Sequence, residues 1–310
     1  MSKKILIYGA GVIGSTYGGL LAKSGHNVTL LARNKRLSEL KETGLLISKT
    51  NKRNLEKISV SIIDELQLSE SYDYVFVTIR NDQIKSVLHT LSIIKTECFV
   101  FMVNNCSGYL EWINMLGFDR VLPAFPGSGG KIENGVVYYE IVSKYIQPTT
   151  LGELDGKKSD RVKDLKTMLS KSGFNVAISK NMDAWQKSHV AMVAPLAAVI
   201  YYDGGDIYTA SANKEAIRQM SLALKENFFF LKRSGIGIEP KKLITLLLLP
   251  LPILNLIMKY VLHTKWAENV ISNHAINAKQ EMELISNEFL QLAQNSGFQL
   301  NEFKKLLKKL

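Results

Sequence analysis

Three glycines near the start of the chain carry the clearest chemical signal. Gly9-Ala10-Gly11-Val12-Ile13-Gly14 follows an apolar run at 5–8 and opens a helical pattern. A helix that begins on such a turn presents unpaired backbone N–H groups, and its dipole adds partial positive charge. That end suits an anion such as a pyrophosphate. The first glycine permits a tight turn, the second lets the backbone approach the phosphates, and the third lets helix and strand close together. A glycine-rich turn without a ligand is the alternative. The strand before it and the helix after it favour a dinucleotide held by Gly9, Ala10, Gly11, Val12, Ile13 and Gly14.

The end of the second strand bears on which dinucleotide. Enzymes that take NAD usually place Asp or Glu about 20 residues beyond the glycines, where it meets the ribose hydroxyls. Here the stretch reads Leu31-Ala32-Arg33-Asn34-Lys35-Arg36, with three cations and no carboxylate. A guanidinium grips a phosphate through paired charge-assisted hydrogen bonds. The expected cofactor is therefore NADP(H), with Arg33 on its 2′-phosphate. Lys35 and Arg36 read equally well as surface charges that open the next helix.

These residues need a scaffold. The 310 residues are enough for two domains, and 46% apolar with 22% charged residues is the balance of a globular protein with a core. Strand patterns at 5–8, 27–31, 73–78 and 98–103 alternate with helical spacing, including 82–93. Such repetition predicts an α/β unit with a Rossmann-like, doubly wound parallel sheet. Shorter strands over 119–153 are expected to extend the sheet at its far edge. A helix at 159–172 and a closing strand at 174–178 follow. Beyond about residue 180 the spacing is helical at 182–201, 213–234, 240–262 and 265–296. The expected organisation is a cofactor-binding domain over 1–180 and an all-α domain over 181–310.

Composition narrows the function. The net charge of +11 is partly local, since Lys304, Lys305, Lys308 and Lys309 crowd the C-terminal end, where cations suit a helix dipole. The cations do not interleave with aromatics in a nucleic-acid-binding pattern, so no nucleic-acid partner is expected. Cys98 and Cys106 lie in an apolar stretch without CxxC spacing or a Cys/His cluster. They read as packed thiols in a reducing cytoplasm, with no metal site. The first residues do not read as a signal peptide. The uncharged run 243–258 is near the short limit for a membrane span, and Pro250 and Pro252 would break it. A buried or dimer-facing helix–turn–helix is expected there. A homodimer formed through the helical domain would use residues 243–262, the oligomeric state itself being left open by the sequence, and membrane contact is not expected.

Several local stretches, in order, resemble the ketopantoate reductase (2-dehydropantoate 2-reductase) family over nearly the whole chain. They are the glycine motif, GHNVTLLAR, VFVTIRNDQ, FMVNNCSGYLEW, AWQKSHVAMVAPLAA and KQEMELISNEFLQLAQNSGF. The resemblance implies NADPH-dependent reduction of a small anionic 2-oxo acid to a 2-hydroxy acid. It places Lys187 on the catalytic lysine, Glu281 on the acidic position and Asn104 where nicotinamide and substrate meet. Arg80 falls where the family has Lys, and would pair with a cofactor phosphate or the substrate carboxylate. An ammonium at Lys187 would polarise the carbonyl and donate the proton, while Glu281 would position the lysine or the substrate hydroxyl. His274, seven residues before Glu281, is a further candidate for a substrate contact. His189, two residues from Lys187, lies on another helix face and reads as packed.

The pattern also departs from the family. Ala191 and Ala194 stand in the stretch where the family carries asparagines after the lysine, and VISNHAINAKQE offers no clear match to its substrate-binding serine. Lost hydrogen-bonding groups change discrimination between similar substrates. The expected reaction is 2-dehydropantoate to pantoate, a step of pantothenate biosynthesis. The alternatives are reduction of another apolar or branched 2-oxo acid, or a non-catalytic NADP-binding regulatory protein.

Overall fold

Ile5, Leu6, Ile7 and Tyr8 are all buried, so the first strand feeds apolar side chains to both faces of a sheet. A computed structural model describes residues 2–50, 54–67, 69–202, 204–272, 276 and 278–308. Two compact units result: Met1–Val103 with Tyr109–Met182, and Asn104–Gly108 with Asp183–Leu310.

The first unit begins β1 (Lys4–Tyr8), α1 (Val12–Lys23), β2 (Asn27–Leu31), α2 (Asn34–Thr43), β3 (Leu45–Lys49), β4 (Glu56–Ile58) and β5 (Ser61–Ile63). It continues β6 (Ser71–Tyr72), β7 (Tyr74–Val77), α3 (Asn81–Ser92), β8 (Lys95–Thr96), β9 (Phe99–Met102), α4 (Leu110–Leu116) and β10 (Val121–Phe125). Then come β11 (Ser128–Glu133), β12 (Val136–Ile141), β13 (Thr149–Leu151), α5 (Asp160–Lys171) and β14 (Val176–Ile178). The main sheet runs β14-β13-β10-β9-β7-β1-β2-β5. Its neighbours pair in parallel except β10 with β13.

Side chains alternate between the two faces of this sheet. Ile5 and Ile7 pack with Tyr17, Leu21, Phe76 and Val100, while Leu6 and Tyr8 pack with Val75, Val77, Leu88 and Phe99. The strand order reverses beside β1. The chain goes from β1 outward to β2 and β5, then returns to place β7 on the other side. A crevice beyond the carboxyl ends of β1 and β7 follows from this reversal.

The region 119–153 corrects the expected edge. β10 and β13 do join the main sheet, but the β11–β12 hairpin does not. It forms a separate four-stranded sheet, β11-β12-β3-β4, in which β12 pairs in parallel with β3. Ile47, Val137 and Tyr139 of that sheet share a core with Ile7 and Tyr17, so α1 is covered on a second side. β3, β4 and β5 are short and lacked a clear strand pattern.

The second unit is helical: α6 (Met182–Tyr202), α7 (Ile207–Ala212), α8 (Lys214–Arg233), α9 (Ile244–Leu248), α10 (Leu251–Leu262), α11 (Lys265–Ala267), α12 (Lys279–Asn295) and α13 (Asn301–Leu307). Its core joins Val190, Phe228, Phe230, Ile285, Phe289 and Phe303. Pro195 sits inside α6 and has no N–H to give to the carbonyl four residues earlier. The buried Asn227 side chain supplies that donor: its Nδ2 donates to the Ala191 carbonyl at 3.1 Å. The helix continues past the proline because α8 satisfies the freed group.

Two expected helices are broken. The turn expected in the apolar run falls at Leu249 and Pro250, between α9 and α10. This segment is not fully buried, however; α10 buries Leu254, Met258 and Leu262 and exposes other apolar residues. Residues 265–296 are not continuous either, since α11 passes into a π-helical turn at Glu268–Ser272 before α12. Among the described residues, no helix is long and apolar enough to cross a membrane.

Candidate active site

The glycine turn has the geometry its sequence requires. Gly9 adopts φ +113°, where a side chain is strained, and a Cβ there would lie 2.7 Å from Ile79 Cγ2. Gly14 packs closer still, with its Cβ position 1.9 Å from the Gly9 carbonyl oxygen and 2.5 Å from Thr78 Oγ1. Any side chain would push α1 off the strand. Gly11 caps α1, and a Cβ there would meet nothing within 4 Å. That open side is where a phosphate approaches. No side chain caps the helix and no acid stands in its first turn, so the dipole is not offset locally.

Hydrogen bonds hold the turn from behind. Thr78 Oγ1 donates to the Gly9 carbonyl at 2.7 Å, and Ser15 Oγ donates to the Ala10 carbonyl at 2.9 Å. Arg36 Nε donates to the same Ala10 carbonyl at 3.1 Å, and its other nitrogens reach Ser15 Oγ, the Gly135 carbonyl and Glu39. Arg36 is therefore no loose surface charge; it ties the glycine turn to the β11–β12 hairpin. Its side chain is 14% exposed, whereas that of Lys35 is 92% exposed. Sequence reading could not separate the two, because the partners of Arg36 are backbone carbonyls far along the chain.

Arg33 remains outward. It is exposed at the start of α2, and its Nη2 donates to Tyr8 Oη at 3.3 Å across the ends of β2 and β1. Burial raises the Tyr8 pKa, and the Arg33 charge opposes that rise. Arg80 caps α3 and pairs with Asp82 at 3.3 Å. That pairing offsets part of its charge. Among the described residues, no cluster of His, Cys, Asp or Glu has the makings of a metal site.

The second unit gathers the other candidates. Asn104 Nδ2 donates to Glu281 Oε1 at 3.2 Å, with both residues buried. Asn104 Oδ1 is buried with no hydrogen-bond partner, a polar atom waiting for a donor. Burial distinguishes Glu281 from Glu283, which is exposed and 3.9 Å from Lys279. The 104–108 segment is held by Asn105, whose Nδ2 donates to the Gly108 carbonyl and whose Oδ1 accepts from Ser107 N–H and Oγ.

Lys187 lies on α6, its side chain 12% exposed. Its Nζ donates to Asp183 Oδ2 at 2.5 Å, one helical turn earlier. Asp183 was missed from sequence, although i,i+4 spacing on a helix is the signal that reveals such pairs. Cys106 lies within electrostatic reach of Lys187 and Asp183, and burial raises its thiol well above the usual range. Cys106 Sγ donates to the Ile285 carbonyl at 3.6 Å and to Glu288 Oε2 at 3.7 Å. Burial also raises the Glu288 carboxyl, opposed by hydrogen bonds from Cys106 and Ser107. His189 stacks on Trp185 with ring centroids 5.5 Å apart. His274 lies outside the described residues.

Residues 5–155 match the family described as ketopantoate reductase PanE/ApbA. A 2-dehydropantoate 2-reductase of Pyrococcus horikoshii is 27% identical over 239 residues, which cover 73% of this chain and 75% of that protein. These matches, which span just under half of the chain for the family model, support a place for it in the ketopantoate reductase family as a divergent member.

Solved structures share the family fold. The 2-dehydropantoate 2-reductase from Geobacter metallireducens superposes with a TM-score of 0.78 at 17% identity, over 99% of this chain and 98% of the other. The ternary structure of D-mandelate dehydrogenase with NADH and anilino(oxo)acetate gives 0.75 at 17% identity, over 99% and 96%. In keeping with these relatives and neighbours, the chain is an oxidoreductase that uses a nicotinamide dinucleotide. The open Gly11 face and the uncapped start of α1 fit the pyrophosphate of that cofactor.

Proposed function

We propose that this protein reduces a 2-oxo acid to a 2-hydroxy acid with NADPH, and that 2-dehydropantoate is the substrate. The observation that carries the reading is the buried pairing of Asn104 with Glu281 in the unit that also holds the largely buried side chain of Lys187. These three residues are far apart in sequence and are the ones such a reaction requires.

The chemistry a nicotinamide cofactor would supply when bound is a hydride for the carbonyl carbon. Gly9, Ala10, Gly11, Val12, Ile13 and Gly14 would hold its pyrophosphate, and the Arg33 guanidinium would bind the 2′-phosphate. Arg80 pairs with a cofactor phosphate or with the substrate carboxylate. Lys187 polarises the carbonyl oxygen and delivers a proton from Nζ to the developing alkoxide. Asp183 aims that nitrogen through its hydrogen bond, and solvent returns the proton afterwards. Asn104 uses its free Oδ1 to orient a donor of cofactor or substrate, while Glu281 fixes the carboxamide.

A second reading has its own support. Ala191 and Ala194 are buried on the helix of Lys187, and Ala194, Ala197, Ala198 and Tyr201 line a cavity of about 230 Å³ against Met282 and Ser286. The alanine face of α6 favours a substrate with an apolar or branched chain over one that needs amides from that helix, while Glu283 and Asn287 add polar groups to the opposite wall.

Oxidation of NADPH, followed by absorbance with 2-dehydropantoate and a panel of branched 2-oxo acids, tests both readings. The higher kcat/KM identifies the substrate. Absence of turnover with every 2-oxo acid would overturn the enzymatic assignment.

A further inference from the structure

The helical unit presents an apolar face that its own core does not cover. α10 is anchored by Leu254, Met258 and Leu262, which are buried. Lys225 Nζ donates to the Leu247 carbonyl at 2.6 Å and secures the end of α9. The opposite side of the α9–α10 hairpin exposes Leu248 (74%), Ile253, Leu256 (54%), Ile257 and Tyr260 (65%). Positions 253, 256, 257 and 260 fall on one helical stripe. The outward residues are thus contiguous rather than scattered, which marks an interaction surface.

Charge selects the partner. From 240 to 267 the sequence has no carboxylate and carries Lys241, Lys242, Lys259 and Lys265. Lys241, Lys242 and Lys259 are exposed on this segment, while Lys265, also exposed, is paired with Glu268 at 2.8 Å. A second copy docking through this face would bring like charges together, at a cost. Anionic headgroups would neutralise them while acyl chains receive the leucines and isoleucines. The exposed Tyr260 adds an aromatic ring with a polar tip, a side chain of the type favoured at a membrane interface.

Geometry excludes a span. α10 has 12 residues, about 18 Å of helix at 1.5 Å per residue, and a hydrocarbon core is about 30 Å thick. A short amphipathic helix with basic flanks lies in the interface plane instead. Against the expectation drawn from the sequence of this segment, we propose that the α9–α10 hairpin docks this protein reversibly on an anionic lipid surface. The enzyme would then work as a peripheral protein, its apolar stripe shallowly inserted and its lysines on the headgroups.

Co-sedimentation of the whole protein with lipid vesicles tests this. Vesicles of phosphatidylcholine alone are compared with vesicles containing about one-third phosphatidylglycerol. The expected result is uptake by the anionic vesicles that weakens as salt rises. The pair Ile253→Ser with Leu256→Ser, and separately Lys241→Gln with Lys242→Gln, should each lower uptake about tenfold or more. All four positions are exposed, and retained NADPH binding verifies that the variants fold. Absent uptake, or uptake unchanged in both pairs, would overturn the proposal. So would a dimer in sedimentation velocity that the serine pair dissolves while no vesicle is bound, since a second copy would then own the face.

Discussion

Asn104 and Glu281 stand 177 residues apart in sequence and meet through one hydrogen bond of 3.2 Å inside the helical unit. The bond fixes the orientation of the Asn104 carboxamide, leaving Oδ1 as the atom without a partner. Removing one member of a buried pair costs the desolvation of the other. Asn104→Ala should therefore lose about 1–3 kcal/mol of stability and also turnover. Denaturant unfolding and steady-state rates measure the two effects. An unchanged unfolding midpoint would mean that the pair does not persist in solution.

Lys187→Ala should lower kcat by about 100-fold or more, the scale of a lost general acid. NADPH binding, read by calorimetry, should persist because the glycine turn is untouched. Lys187→Arg keeps charge but not the geometry or acidity of an amine, so it should not restore the rate. Undiminished turnover in Lys187→Ala would remove the residue from the mechanism.

Arg33→Asp should erode the preference for NADPH over NADH about tenfold or more, since a charge-assisted contact is worth about 1.5–3 kcal/mol. The ratio of kcat/KM for the two coenzymes reports it. Preference equal to that of the parent would place the 2′-phosphate elsewhere. Arg36→Ala is a useful contrast. It should weaken both coenzymes alike, because Arg36 holds the Ala10 carbonyl and not the ribose.

Gly14→Ala places a methyl group 1.9 Å from the Gly9 carbonyl oxygen. The backbone must shift, at a cost of about 1–3 kcal/mol for an overpacked site. A lower thermal midpoint and weaker NADPH binding are expected together. Normal values for both would show that the turn yields more easily than its contacts imply.

Glu288 gives a pH-dependent outcome. Burial raises its carboxyl above the ordinary carboxylate range, so the folded protein holds the proton more tightly than the unfolded chain. Its contribution is complete below the unfolded pKa and is lost as pH rises through the raised folded value. Glu288→Gln lacks that titration. Thermal midpoints across the acidic to neutral range should favour the variant increasingly as pH rises. A constant difference between the two proteins would contradict the assignment.

The local pattern determined the parallel strands, the glycine turn and most helices, because period and turn chemistry reside in neighbouring residues. β2 runs Asn27–Leu31, where the stretch NVTLL predicted it, and Asn213 caps α8 through a hydrogen bond from Ala216 N–H. The distinct roles of Lys35 and Arg36 were not legible. Both are cations at a helix start, and only the approach of Ala10 and Gly135 makes one of them structural. The separate sheet of β11, β12, β3 and β4 was likewise hidden, since a strand pattern does not name its pairing partner. Sequence also displayed the apolar run at 243–258, but burial of one stripe and exposure of the other followed from packing on α7 and α8. Short-range preferences are written residue by residue. Which carbonyl needs a donor, which carboxylate is buried and which face stays uncovered depend on segments that meet only when the chain has folded.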